Sequence, residues 1–387
     1  MKIVTKILCA LSVQFLCAAL YIMPAAAKTF VYISCAEDGE IASLTMNLET
    51  GDLTMLGKIK AGKVVMPMAV SPDHRYLYAA IRSVPYSFAS FGIDSNTGTL
   101  IRLSTVPSPD NMVYISTDKT GRFLLAASYA GHKISVNPIG DRGFVQAEPV
   151  LVMNTGRNAH SIVSDPSNRF VFVPNLGSDQ ILQLMFDEKR GILTSNDPAV
   201  IKTKADAGPR HIVFLPNNQF AYVTSELDGM VRVYAFDNKT GLLKEIQSIS
   251  AVPRNSKLPP GKPAAPLGGP QSTGAPVAAE EPSIWLADVH ITPDGKFLYA
   301  SERTTSTLAA FAVDGVTGKL RYINSYDTEK QPRGFNIDPR GNFVLAVGEK
   351  SEHCMVHKIN RDTGELQSLK RILVGKDPNW VEIVDFP

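Results

Sequence analysis

Histidine, arginine and glutamate recur in this chain at places picked out by one repeating interval. Six residues ahead of a proline marker stand Met66, Val113, His160, Arg210, Ala287 and Arg333, with Asn379 in the matching place near the C-terminus. Ten residues after the marker stand Arg82, Tyr129, Leu176, Glu226, Arg303 and Glu349. A guanidinium binds carboxylate or phosphate through a two-pronged fork, a histidine can move a proton near neutral pH, and a carboxylate can orient either. His160, Arg210 and Glu226 are therefore the candidate catalytic set, with Arg333, Arg303, His211, His290 and Arg82 as candidate binding groups. Taken singly, each arginine is better explained as an ordinary turn residue paired with a neighbouring charge. Taken together they are harder to dismiss, because a repeat propagates one residue type, and here Met and Val give way to His and Arg.

Other chemistry is poorly supported. No G-x-S-x-G segment offers a serine nucleophile, and no C-x-x-C-H offers a haem attachment. His353 and His357 would share a strand face but stand about 13 Å apart, with Cys354 pointing the other way, too far for one ion to bridge. No metal or other cofactor is expected.

The elements that must carry these residues are also periodic. A turn of the type Asn/Asp-x-x-x-Gly-x-Leu places glycines at 51, 98, 191, 241, 318 and 364, and a weaker copy, Asp141-Arg142-Gly143, supplies the seventh. The proline marker occurs in phase, as in Ser71-Pro72-Asp73, Asp165-Pro166-Ser167 and Thr292-Pro293-Asp294, each followed by a short apolar strand. β-Branched and aromatic residues alternate without helical periodicity. Four short antiparallel strands per 45–50 residues is the period of a propeller blade, and seven turn glycines predict seven blades. The N-terminal Phe30-Val31-Tyr32-Ile33 matches a second strand and the C-terminal stretch from Pro378 to Val384 matches a first. The expectation is an all-β, seven-bladed β-propeller whose first blade is closed by the C-terminal strand. With strands a to d numbered outward from the axis, the starts of a and the ends of b share one face of the disc. The two sets of charged positions thus form neighbouring rings on that face.

Composition agrees with a globular chain: 44% hydrophobic and 20% charged residues, with Gly 28 and Pro 26 scattered through it. Lys+Arg number 39 against 37 Asp+Glu with no basic block, so nucleic acid is not an expected partner. Residues 1–27 read as a signal peptide: Lys2 and Lys6, an apolar run from Ile7 to Met23, then Ala25-Ala26-Ala27. That predicts a periplasmic or secreted product from Lys28 onward, off the membrane after cleavage, and most simply a monomer. A bridge between its two remaining cysteines, Cys35 and Cys354, is left open. The segment 253–282 is rich in proline and glycine and reads as an inserted mobile flap between the last strand of blade five and the first of blade six.

Gly208-Pro209-Arg210-His211, Ala287-Asp288-Val289-His290-Ile291-Thr292-Pro293-Asp294-Gly295, Glu302-Arg303-Thr304 and Gln331-Pro332-Arg333-Gly334-Phe335-Asn336 occur in this order and register. With them the chain resembles the seven-bladed β-propeller lactonases, and their bacterial 6-phosphogluconolactonase branch in particular. The resemblance covers residues 29–386 apart from the insertion. It implies hydrolysis of a small anionic sugar lactone without a metal, and, through the related carboxymuconate lactonising enzymes, roles for His160, Arg210 and Glu226. The lactonising direction, and a non-catalytic ligand- or protein-binding propeller, stay open as alternatives. The secretion signal and the insertion are departures from the cytoplasmic members.

Overall fold

The computed structural model describes residues 28–264 and 281–386; the predicted leader and the centre of the insertion lie outside the described residues. Seven four-stranded antiparallel sheets are present, each in the order a-b-c-d. In blade five the strands are Pro209–Phe214, Phe220–Ser225, Met230–Asp237 and Leu242–Ser250. Blade one takes Lys28–Cys35, Glu40–Met46 and Leu53–Lys60 from the start of the chain and its innermost strand, Pro378–Phe386, from the end. Thr29 pairs with Asp385 and Ile33 with Val381, so the expected closure is present. Lys28–Cys35 is thereby paired on both sides, as strand b is in the other blades.

Burial grades outward. Strand b of blade five is buried throughout, because sheets pack on both of its faces. The outermost strand of blade one alternates with a largely exposed face, as an edge strand does. Apolar side chains meet between blades rather than at the axis: Tyr222, Val231 and Val233 of blade five pack on Leu298, Ala300 and Phe311 of blade six.

The repeated turn glycine has a second role besides closing the c–d turn. Gly241 has φ +75°, which a side chain disfavours, and any β-carbon there would overlap the ring of Phe170 in the blade before it. The same seat recurs around the ring: Gly51 on Phe343, Gly98 on Phe30, Gly143 on Tyr76, Gly191 on Phe123, Gly318 on Phe220 and Gly364 on Phe297. In three blades a tyrosine two residues further on adds a hydrogen bond, from Tyr32, Tyr222 and Tyr299 Oη to the carbonyls of Gly98, Gly318 and Gly364 at 3.0, 3.0 and 2.9 Å.

Cys35 and Cys354 are free and buried in the core between blades seven and one. Burial pushes the Cys35 thiol up to about 12. The described stem of the insertion is tied down rather than loose. Gly261 N–H donates to Leu227 O at 2.8 Å, Ile284 N–H donates to Pro259 O at 2.9 Å, and Tyr129 Oη of blade three donates to Ala264 O at 2.9 Å. A proline-rich segment can be fixed this way because its carbonyls still accept even where its nitrogens cannot donate.

Gly241→Ala combines a left-handed backbone with overlap on Phe170, so it should cost at least about 2 kcal/mol. Urea unfolding checks this: the midpoint should fall with the slope unchanged, and a wild-type midpoint would show that the glycine–aromatic seat adds nothing.

Candidate active site on the ring face

The ring positions sit where the ladder between strands a and b is interrupted. In blade five Pro209 pairs with Ser225, and the next pair is Ile212 with Val223. Arg210 and His211 together face the single residue Thr224. Blade six does the same, with Leu286 opposite Glu302 and Val289 opposite Ala300, which frees Ala287 and Asp288. Blades two, three and seven shift at Met66, Val113 and Arg333. A β-bulge of this kind takes consecutive residues out of strict alternation and re-aims their side chains. In blade four the innermost strand shrinks to Val163–Ser164, and His160 is held by its N–H donating to Pro174 O at 2.9 Å.

Glu226 follows strand b of blade five and is the centre of the cluster. Its Oε2 accepts from Arg210 Nε at 2.7 Å and from Arg303 Nη2 at 2.8 Å, while Oε1 accepts from Trp285 Nε1 at 3.2 Å. Arg303 also lies over the Trp285 ring, 3.6 Å from its centroid. Arg210, Glu226 and Arg303 are all buried. Arg333 approaches Glu349 at 3.6 Å. Arg82 donates from Nε to Asn111 Oδ1 at 2.7 Å and touches Met66 Sδ, and the charge of Arg333 acts on it. Local pairing and a shared cluster thus both hold: Glu226 bridges Arg210 and Arg303, Glu349 faces Arg333, and Arg82 rests on Asn111 and Met66.

His160 packs edge-on to Tyr129 and His211, with centroids 5.6 and 5.3 Å away. Its Nδ1 is buried with no hydrogen-bond partner among the described residues. The hydrogen bonds of Glu226 go to Arg210, Arg303 and Trp285, so the carboxylate is committed to arginines rather than to orienting His160. His211 bridges Arg210 and Asp288: Arg210 Nη1 lies 3.1 Å from Nε2 and Asp288 Oδ1 lies 2.7 Å from Nδ1. His290 lies on the axial side, 3.2 Å from Asp288 Oδ2 and packed on Phe335. It lines an axial cavity of about 370 Å³ bounded by strand a of every blade, with Tyr114, His211, Asp288, Trp380 and Glu382. Asp288, Trp285 and Trp380 were not among the sequence candidates. A strand read as strictly alternating turns Asp288 away from Ala287, and only the bulge brings it to the site.

Burial drives His160 well below the ordinary histidine range, and the charge of Arg210 drives it further. Burial likewise pushes His211 down to about 4. Burial alone would raise Glu226, but Arg303 and Arg210 outweigh it and hold the carboxyl below its usual range. At neutral pH the site therefore holds charged Arg210 and Arg303, an ionised Glu226 between them, and neutral His160 and His211. A carboxylate between two buried guanidiniums is costly to delete because two desolvated charges lose their partner. Glu226→Ala should destabilise the protein by roughly 3–5 kcal/mol, far more than an exposed pair would. Thermal or urea unfolding reads this directly, and an unchanged midpoint would mean the cluster is not electrostatically coupled.

The sequence profile of the lactonases with a seven-bladed β-propeller matches residues 30–383. A 6-phosphogluconolactonase of Pectobacterium carotovorum is 37% identical over 354 residues, covering 92% of this chain and 98% of its own. A 6-phosphogluconolactonase of Yersinia pestis is 37% identical over 357 residues with the same coverage. Among solved structures, the periplasmic gluconolactonase of Pseudomonas aeruginosa matches with a TM-score of 0.79 at 24% identity, covering 94% of this chain and 100% of that one, a likeness of fold. With the seven closed blades, the family profile and these relatives in agreement, the chain belongs to the seven-bladed β-propeller lactonase family.

Proposed function

We propose that this protein hydrolyses a small anionic sugar lactone, 6-phosphogluconolactone or gluconolactone, to the open-chain acid. The observation that carries the reading is the ring-face cluster: the charges of Arg210, Arg333 and Arg303 all act on a buried His160 whose Nδ1 has no partner among the described residues. Three guanidiniums beside one histidine suit a substrate that arrives with negative charge and a reaction that develops an oxyanion. The two relatives named 6-phosphogluconolactonase support the same chemistry.

In this mechanism His160 takes a proton from water as the water attacks the lactone carbonyl, and returns it to the ring oxygen as the ester bond breaks. Arg210 and Arg333 stabilise the oxyanion and the substrate anion, and Arg303 anchors beside them. Glu226 keeps Arg210 and Arg303 ionised and aimed. The depressed basicity of His160 is part of the design. Its neighbours' positive charge is partly neutralised once an anionic substrate binds, so His160 becomes a better base when there is work for it.

The leader composition assigns the working form to the periplasm or the outside, and no helix among the described residues is long and apolar enough to cross a membrane. The insertion stem, reaching from blade five to Tyr129 of blade three, is assigned as a cover beside the site that narrows substrate choice.

The decisive assay follows gluconolactone and its 6-phosphate with purified protein from Lys28 onward, subtracting spontaneous hydrolysis. Acceleration of one or both is expected; no acceleration of either sinks the reading and leaves a binding protein. His160→Ala should lower kcat more than it raises KM. The pH dependence has a defined sign. The profile of kcat/KM reports the free protein, where His160 stays neutral far into acid; that of kcat reports the complex, where bound anion raises it. The acid limb of kcat should therefore lie at higher pH than that of kcat/KM, in rates measured from about pH 5 to about pH 8. Coincident limbs would remove His160 from the base role.

A further inference from the structure

His211 is the one imidazole at the site with both nitrogens engaged, and the partners differ in kind. A guanidinium can only donate, so with Arg210 Nη1 at 3.1 Å the Nε2 atom must accept. The proton of a neutral ring then sits on Nδ1 and is donated to Asp288 Oδ1 at 2.7 Å. Asp288 is itself fixed from several sides. Oδ1 also accepts from Val289 N–H at 2.9 Å. Oδ2 receives His290 Nε2 at 3.2 Å and Phe335 N–H at 3.4 Å. The backbone N–H of Asp288 donates to Ser301 Oγ at 3.0 Å. Flanked by two histidines, its carboxyl is held well below the usual range and stays an acceptor.

The consequence passes to Arg210. Its Nε is committed to Glu226 and its Nη1 to His211, two contacts that fix the plane of the guanidinium and leave Nη2 with no hydrogen bond to a described residue. If His211 carried its proton on Nε2 instead, that N–H would oppose the Arg210 N–H and the fork would turn.

We propose that Asp288 is the positioning residue of this site: by holding His211 in the Nδ1–H form it keeps Nε2 an acceptor, and so sets the orientation of Arg210 toward the substrate. The inference rests on the lactonase reading for its kinetic consequence but not for its structural one. His290 secures the far oxygen of Asp288 from the axial cavity, next to Glu382, which ties the rear of the propeller channel to the ring face.

Two measurements test this. In protein labelled with ¹⁵N-histidine, long-range ¹H–¹⁵N correlation near neutral pH should show His211 neutral with Nδ1 protonated. A protonated ring or the Nε2–H form overturns the proposal, whatever the protein turns over. Asp288→Asn, whose amide can donate to Nδ1, should move His211 to the Nε2–H form. It should also lower kcat/KM on an accepted lactone on the order of a hundredfold, because a turned Arg210 no longer meets the substrate anion or the oxyanion. Asp288→Asn with wild-type kcat/KM and an unmoved His211 spectrum overturns it as well. Should that variant fail to fold, the wild-type spectrum still decides. Should wild-type protein turn over no lactone, the functional reading falls and the tautomer measurement alone decides this inference.

Discussion

Blade is held to blade by a glycine lying against an aromatic ring, repeated at all seven joints. The turn between strands c and d needs a residue at positive φ, and the first aromatic of strand b in the preceding blade needs a flat surface without a β-carbon. One glycine meets both demands. Because the last strand of the chain pairs into blade one, the joint between blades seven and one, Gly51 on Phe343, is made like the other six. Everything on the ring face depends on this regularity, since it fixes the angle at which seven strand starts converge on the axis.

That convergence is what makes the charged cluster sustainable. Removing a guanidinium from water is costly, and a lone buried arginine would not survive the balance. Here hydrogen-bonded groups run in a line from the axial cavity to the insertion side, with the neutral ring of His211 joining the acidic and basic ends: His290, Asp288, His211, Arg210, Glu226, Arg303. Each link is a hydrogen bond of 3.2 Å or less. Trp285 closes the end by stacking on Arg303 and donating to Glu226. The line is built from the inner strands of two adjacent blades, so small relative motions within the disc would disturb it. The interblade packing is the structural reason it stays aligned.

The architecture was legible because its cause is periodic. A glycine every 45–50 residues, a proline marker in phase and strand-like alternation between them are local signals that do not depend on distant contacts. The ring residues were legible for the same reason, as fixed offsets from a marker. What offsets cannot convey is partnership. That Glu226 would accept from Arg210 and Arg303, and leave His160 without a carboxylate, follows from side-chain reach across two blades. Asp288 escaped because alternation assigns it to the opposite side from Ala287, and a bulge has no compositional signature in blade six. The two cysteines sit in neighbouring blades as the repeat implies, yet register alone could not say whether their sulfurs would join.

The bulge at the start of strand a has a bearing on how such molecules diversify. It sets one or two residues per blade outside the ladder's alternation, and the same backbone shift carries Met66, Val113, Arg333, the pair Arg210–His211 and the pair Ala287–Asp288. Apolar, basic and acidic side chains are accepted there without altering the glycine–aromatic joints. A lineage can therefore rewrite the chemistry of the face blade by blade while selection on folding acts elsewhere in the sequence, and kinship of fold in this family will outlast kinship of substrate.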